Sequence, residues 1–261
     1  MEFVNYLLSQ YQIFLFVLVR VSAILISAPI FGSKNVPRRL KIGFSIVVSL
    51  VLLPMVGRDV VFPQTFVGLF IGMMGELLVG VALGMTVKFI FVGATMAGQF
   101  IGIQMGLGMA NVLDPQSQTQ ISVVATFISL MTVLLLLEVN AHHYFLISLA
   151  KSFEIIQPYG VYLSRPMLRD FLEMSSRIFV LAFQIASPVI AVLMFVYAIL
   201  GVLGKTVPQM NIFAVGFPVT ITVGFLVLGL SLPMFVMLMK RVMENLQNDM
   251  FVILRGAALV P

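Results

Sequence analysis

The chain is 261 residues long, 61% of them hydrophobic and only 10% charged, with a mean hydropathy of +1.12. Soluble domains hold about 45–50% apolar and roughly 25% charged residues, so a water-soluble globular domain is excluded. The absence of cysteine removes disulfides, thiolate nucleophiles and thiolate metal sites, and the 15 basic residues behind the net charge of +5 are scattered rather than gathered into a nucleic-acid-binding stripe.

A helix needs roughly 20 apolar residues to cross ~30 Å of hydrocarbon. Seven candidate spans follow in chain order: 3–31, 42–57, 62–87, 89–113, 119–137, 178–204 and 212–239. Arg20 and Glu76 lie inside two of them, the run 42–57 is short, and Pro29, Pro188, Pro218 and Pro233 each interrupt a helical run. The expected fold class is all-α, with polytopic membrane-type helical hairpins broken by Pro and Gly. One domain over 1–261 is expected, with about six to seven hydrophobic segments. Only Glu2 precedes Arg20 as a charge, so there is no basic signal-peptide n-region and no cleavage is expected. Lys34, Arg38, Arg39 and Lys41 should remain cytoplasmic, which places the N-terminus outside. An odd number of crossings then puts Lys240, Arg241 and Arg255 inside as well.

Residues 138–177 carry balanced charges and read as a polar connecting segment. Within it Pro166, followed by Leu168, Phe171 and Leu172, predicts a short amphipathic helix. Residues 240–261 read as a C-terminal helix and tail, with 240–254 either a second helix or a continuation of the last span.

Catalytic signatures are missing. Neither G-x-S-x-G nor H-E-x-x-H occurs, and Gly201 to Thr206 imitates only the end of a P-loop, with Ile199 where the opening glycine belongs and Pro208 where the phosphate-binding helix would begin. His142 and His143, the only histidines, point about 100° apart on a helix, so an interfacial or capping role is expected rather than metal binding. No enzyme, cofactor or metal site is expected. A charge at a helix centre costs ~2.5–3.5 kcal/mol on insertion scales and faces protein or water. Lys88 and Glu138 are read as span ends whose heads snorkel outward. Arg20 and Glu76 are expected to pair with each other or with partner subunits, or to line a proton path.

Ala94, Gly98, Gly102, Gly106 and Ala110 recur every four positions, which keeps them near one helix face. Such a face predicts a tight seam, within the chain or between subunits, and this ladder is read as occurring once in the chain. Gly106 and Gly108 then loosen the helix, and Pro115 pushes Asp114 out of the α region. With Met105 and Met109 beside the polar run Asn111, Asp114, Gln116 and Gln118, the segment is either an exterior turn or one that reaches into a water-filled space.

Arg20 with Pro29, the Val36–Pro37 step, the glycines at 98, 102 and 106, and Asp114–Pro115 together resemble the FliR family of bacterial flagellar type III export-gate proteins. The most specific match is the run PQMNIFAVGFP, with Pro208, Gln209, Asn211, Phe213 and Pro218. The resemblance covers essentially the whole chain. It implies a single-copy, non-enzymatic subunit in a helical gate with FliP-like and FliQ-like subunits, in the bacterial inner membrane at the flagellar basal body. An FlhB-like switch protein would wrap the entrance, and unfolded flagellar proteins would pass through transiently. It further implies helices buried against partners as well as lipid, since much of such an assembly is lifted above the membrane. The family's plug loop maps onto about 106–122, with Gly106, Gly108, Met109, Asn111, Asp114, Pro115, Gln116 and Gln118 in the loop and Met105 and Met109 as pore methionines. Methionine suits a seal because its unbranched chain fills irregular gaps and a dry constriction gates by dewetting. The run 208–218 is read as a break between two long helices. The alternatives are the equivalent subunit of a virulence injectisome and, from another class, a small-solute transporter, which would show two matching halves.

Overall fold

The computed structural model describes residues 2–29, 32, 36–56, 65–107, 122–160, 164–209 and 211–258. Every regular element among the described residues is helical: α1 (Glu2–Ser27), α2 (Arg38–Leu52), a 3-10 turn at Leu53–Met55, α3 (Phe66–Gln104), α4 (Val123–Glu138), α5 (Ala141–Ile155), α6 (Arg165–Thr206) and α7 (Ile212–Ala258). The all-α class follows. By length and composition α1, α3, α6 and α7 can cross a membrane, and α4 with α5 forms a further, broken candidate.

Helix continuity departs from the sequence reading in two places and, at 240–254, takes one of its two expected forms. The runs 62–87 and 89–113 are not separate spans, because α3 passes without interruption through Lys88, which is exposed in mid-helix instead of marking an end. A single lysine has good helix propensity and removes no backbone hydrogen bond. The short amphipathic helix expected at Pro166 is the opening of α6, with Pro166 in the first turn, where its missing N–H costs nothing. Residues 240–254 are the far end of α7. At 1.5 Å per residue, α3, α6 and α7 (39, 42 and 47 residues) are about 58, 63 and 70 Å long, roughly twice the hydrocarbon thickness.

Nor do the internal prolines end their helices. Pro188 cannot donate to Gln184 C=O, and the hydroxyl of Ser187 donates to that carbonyl instead, at 3.1 Å. A neighbouring hydroxyl that restores a freed backbone group is how helices in apolar surroundings tolerate proline. Pro218 and Pro233 lie inside α7.

The chain divides into two compact units, the first Met1–Phe89, Asn140–Ser175 and Met243–Pro261, the second Ile90–Val139 and Ser176–Val242. The first is centred on Phe16, Val17, Val21 and Ile24 of α1, buried with Val79, Leu83, Leu149 and Ile253. In the second, Ala94, Ala97, Ile101, Ala125, Ile128 and Val189 are fully buried. Helix α2 is reversed relative to a soluble amphipathic helix. Its buried Ser45 and Ser49 donate to the carbonyls of Lys41 and Ser45, while Leu40, Ile42, Val47 and Val51 face outward.

Candidate functional site

Two groups of residues stand out, one in each unit. In the first, Arg20 of α1 is fully buried and uses all five of its N–H donors. Nε donates to Glu76 Oε2 at 2.5 Å and Nη2 to Glu76 Oε1 at 3.1 Å, a bidentate pair. Nη2 also donates to Ile156 C=O at 3.0 Å, and Nη1 to the carbonyl and hydroxyl of Ser152 at 2.9 and 3.2 Å. Phe153 lies 4.3 Å beneath the guanidinium carbon. Glu76, also fully buried, accepts a further bond from the backbone N–H of Tyr159 at 3.1 Å. Tyr159 has φ +70°, a left-handed conformation that costs an L residue roughly 1–3 kcal/mol and persists only where its surroundings enforce it. Here the carboxylate holds its N–H. One ion pair thus ties α1, α3, α5 and the turn after α5.

Small residues make that pairing possible. Gly72, Glu76, Gly80 and Gly84 recur every four positions on α3. A Cβ at Gly80 would stand 2.6 Å from Ala23 Cβ and 2.7 Å from Arg20 O, so α1 and α3 approach to backbone contact there. Gly72 receives the rings of Tyr159 and Phe16, and Gly84 the Ser27 side chain. The ladder of small residues therefore does not occur only once. The second example went unread because a glutamate occupies one rung, yet the period of four was the signal.

The ladder read from the sequence lies in the second unit. Ala94 is fully buried, Gly98 has no room for a Cβ against Ala125 Cα of α4, and Gly102 none against Ser122. This is an intrachain seam; Ala110 is outside the described residues.

The end of α3 is capped completely. Gly106 has φ +84°, a region glycine enters freely. Its N–H bonds Ile103 C=O, and Leu107 N–H bonds Gly102 C=O, both at 3.0 Å, the two bonds of a Schellman motif. No backbone N–H among the described residues bonds the next two carbonyls, which lie past the last intrahelical bonds of α3. Gln104 C=O accepts from the Tyr197 hydroxyl of α6 at 2.5 Å, and Met105 C=O from the Thr220 hydroxyl of α7 at 3.1 Å. Thr220 shares its proton with Phe217 C=O, also at 3.1 Å. Met105, proposed for the pore, is fully buried, and its side chain packs on Gly224, where a Cβ would fall 2.6 Å from Met105 Cγ. The Phe217 ring closes over Gly106, 2.8 Å from where its Cβ would be. Tyr197, Thr220 and Gly224 escaped the sequence reading, and the signal available for the first two was a hydroxyl inside an otherwise apolar helix; Phe217 lay in the quoted run without a role.

The remaining loop residues, Gly108, Met109, Asn111, Asp114, Pro115, Gln116 and Gln118, lie outside the described residues. In the run 208–218, Pro208 and Gln209 form an exposed turn after α6. Asn211 Oδ1 accepts from the backbone N–H groups of Phe213 and Ala214 at 3.1 and 3.3 Å, an N-cap for α7. Phe213 is exposed and meets Phe217 at 6.1 Å between ring centroids, and Pro218 sits in the second turn of α7. His142 and His143 touch at 4.3 Å between centroids. Among the described residues no group of three or more His, Cys, Asp or Glu could hold a metal. Glu138 accepts from Lys240 at 2.7 Å in a pair that is 58% and 40% exposed.

These features define an all-helical polytopic membrane chain with a built helix terminus in one unit and a buried ion pair in the other. The family described as "Bacterial export proteins, family 1" matches residues 11–246. The chain is 32% identical over 253 residues to the flagellar biosynthetic protein FliR of Bacillus subtilis (strain 168), covering 94% of this chain and 96% of that protein. It is 30% identical over 241 residues to FliR of Escherichia coli (strain K12), covering 92% of each, and 29% over 225 residues to FliR of Aquifex aeolicus (strain VF5), covering 85% of each. The chain belongs to the FliR family of bacterial export proteins.

Proposed function

We propose that this chain is a non-enzymatic subunit of the flagellar type III protein export gate in the bacterial inner membrane. With FliP-like and FliQ-like subunits it forms the channel that unfolded flagellar proteins traverse, and an FlhB-like switch protein binds the assembly. Its own segment 106–122 is the plug that seals the closed pore. The observation that carries the reading is the similarity to FliR proteins over more than nine-tenths of the chain and of each of those proteins. Supporting it, α3, α6 and α7 are far longer than a bilayer requires, as suits helices that pack on partner subunits beyond the lipid. The flagellar names of these relatives favour the flagellar over the injectisome assignment.

The test is to tag the chain, extract it gently from its host's membranes and identify by native mass spectrometry what accompanies it. A discrete complex with FliP-like and FliQ-like proteins is expected. A lone chain that moves a small solute across vesicle membranes would replace the gate with a transporter.

A further inference from the structure

The geometry points to Tyr197 and Thr220 as positioning residues that latch the end of α3 and so set how tightly the gate is closed; this rests on the export-gate reading above. The Schellman bonds at Gly106 serve Gly102 and Ile103, both inside α3, and no backbone N–H among the described residues reaches Gln104 or Met105 C=O. Both acceptors are met by hydroxyls, one from α6 and one from α7. Three helices of one unit therefore converge on two peptide groups, at the point where the chain leaves α3 for the segment read as the plug. The Tyr197 hydroxyl reaches outside its own helix, and that of Thr220 divides its proton between Met105 C=O and Phe217 C=O of its own helix. Thr220 is buried, whereas Tyr197 is 41% exposed, so water can replace its hydroxyl as the donor to Gln104 C=O and its loss weighs less. Met105 against Gly224 and Phe217 over Gly106 supply the apolar part of the same joint. Contacts of this kind are individually weak, in contrast to a buried ion pair, and a joint that must give way during transport has to be weak.

A neutral hydrogen bond is worth a net ~1 kcal/mol, or about fivefold in an equilibrium. Tyr197→Phe and Thr220→Val remove the hydroxyls with little change of shape. In the intact complex, reconstituted into vesicles carrying a pH-sensitive dye, Thr220→Val should raise passive proton leak about fivefold, Tyr197→Phe by less, and the double variant by more than either. Complex yield and composition, followed by native mass spectrometry, should not change. A second measurement uses the cysteine-free background. Gln104→Cys with Tyr197→Cys should leak until bridged by a short, reducible bifunctional thiol reagent. Bridging should then seal the vesicles and stop export of a flagellar protein in cells, and reductant should restore it.

An intact double variant that leaks no more than the parent, or a bridged complex that exports at the parental rate, overturns the latch while leaving the gate reading in place. Failure of the parental chain to copurify with FliP-like and FliQ-like proteins overturns both.

Discussion

The two units of this molecule both pack helices on glycine, but their polar joints differ. The first holds its segments with one buried ion pair in which every guanidinium proton is used. In the second, the described ion pair, Glu138 with Lys240, is exposed, and the joints are a glycine seam and two hydroxyl-to-carbonyl bonds. A buried pair is costly to half-remove, because the remaining charge has no water to turn to. Hydroxyl-to-carbonyl bonds can part and reform at small cost. The first unit thus has a polar joint that is costly to break, and the second has polar joints that are cheap to break.

The largest effect should come from leaving Glu76 without its partner. Arg20→Met is expected to destabilise the first unit by about 3–5 kcal/mol, seen as loss of folded chain from membranes. The double variant Arg20→Met with Glu76→Leu should recover most of the yield, since an apolar pair of similar volume often replaces a buried ion pair at no loss. Failure of that rescue would mean that the hydrogen bonds to Ser152, Ile156 and Tyr159, and not the charges, fasten this unit. Arg20→Lys should rescue poorly, because three donors in no fixed plane cannot serve the five bonds Arg20 makes.

Next comes the glycine seam of the second unit. Gly98→Leu drives a side chain into the α4 backbone at Ala125 and should cost upwards of about 1–3 kcal/mol. The readout is a lower midpoint in thermal unfolding of the purified chain. A neutral result would show that α3 and α4 can separate freely there.

Smaller still is Gly43→Ala in α2, where a Cβ meets nothing within 4 Å. It should stabilise the isolated chain by about 0.5–1 kcal/mol through helix propensity. Loss of complex assembly in that variant, with the chain itself stable, would reveal a partner against the outward face of α2. Last, Lys240→Met should change stability by only about 0.2–1 kcal/mol, as exposed pairs do; an effect as large as that of Arg20→Met would erase the contrast between the units.

By itself the sequence determined the class of structure. Hydropathy and the period of four are local properties, so an all-helical membrane chain, the small-residue face at 94–106, the break before α7 and the abnormality of Arg20 and Glu76 are all legible within a few turns of chain. The FliR resemblance was legible too, because its motifs are short and contiguous. What the tertiary structure decided was continuity and partnership. Lys88 and Pro188 are tolerated because an exposed charge does not break a helix and Ser187 repairs the lost bond, neither of which a hydropathy window registers. Arg20 finds Glu76 across 56 positions and Ser152 across 132. Tyr197 reaches Gln104 across 93, and Thr220 reaches Met105 across 115. A hydroxyl or a charge announces that it needs a partner in apolar surroundings; which partner it takes depends on which helices the packed chain brings within about 3 Å, and no local pattern encodes that distance.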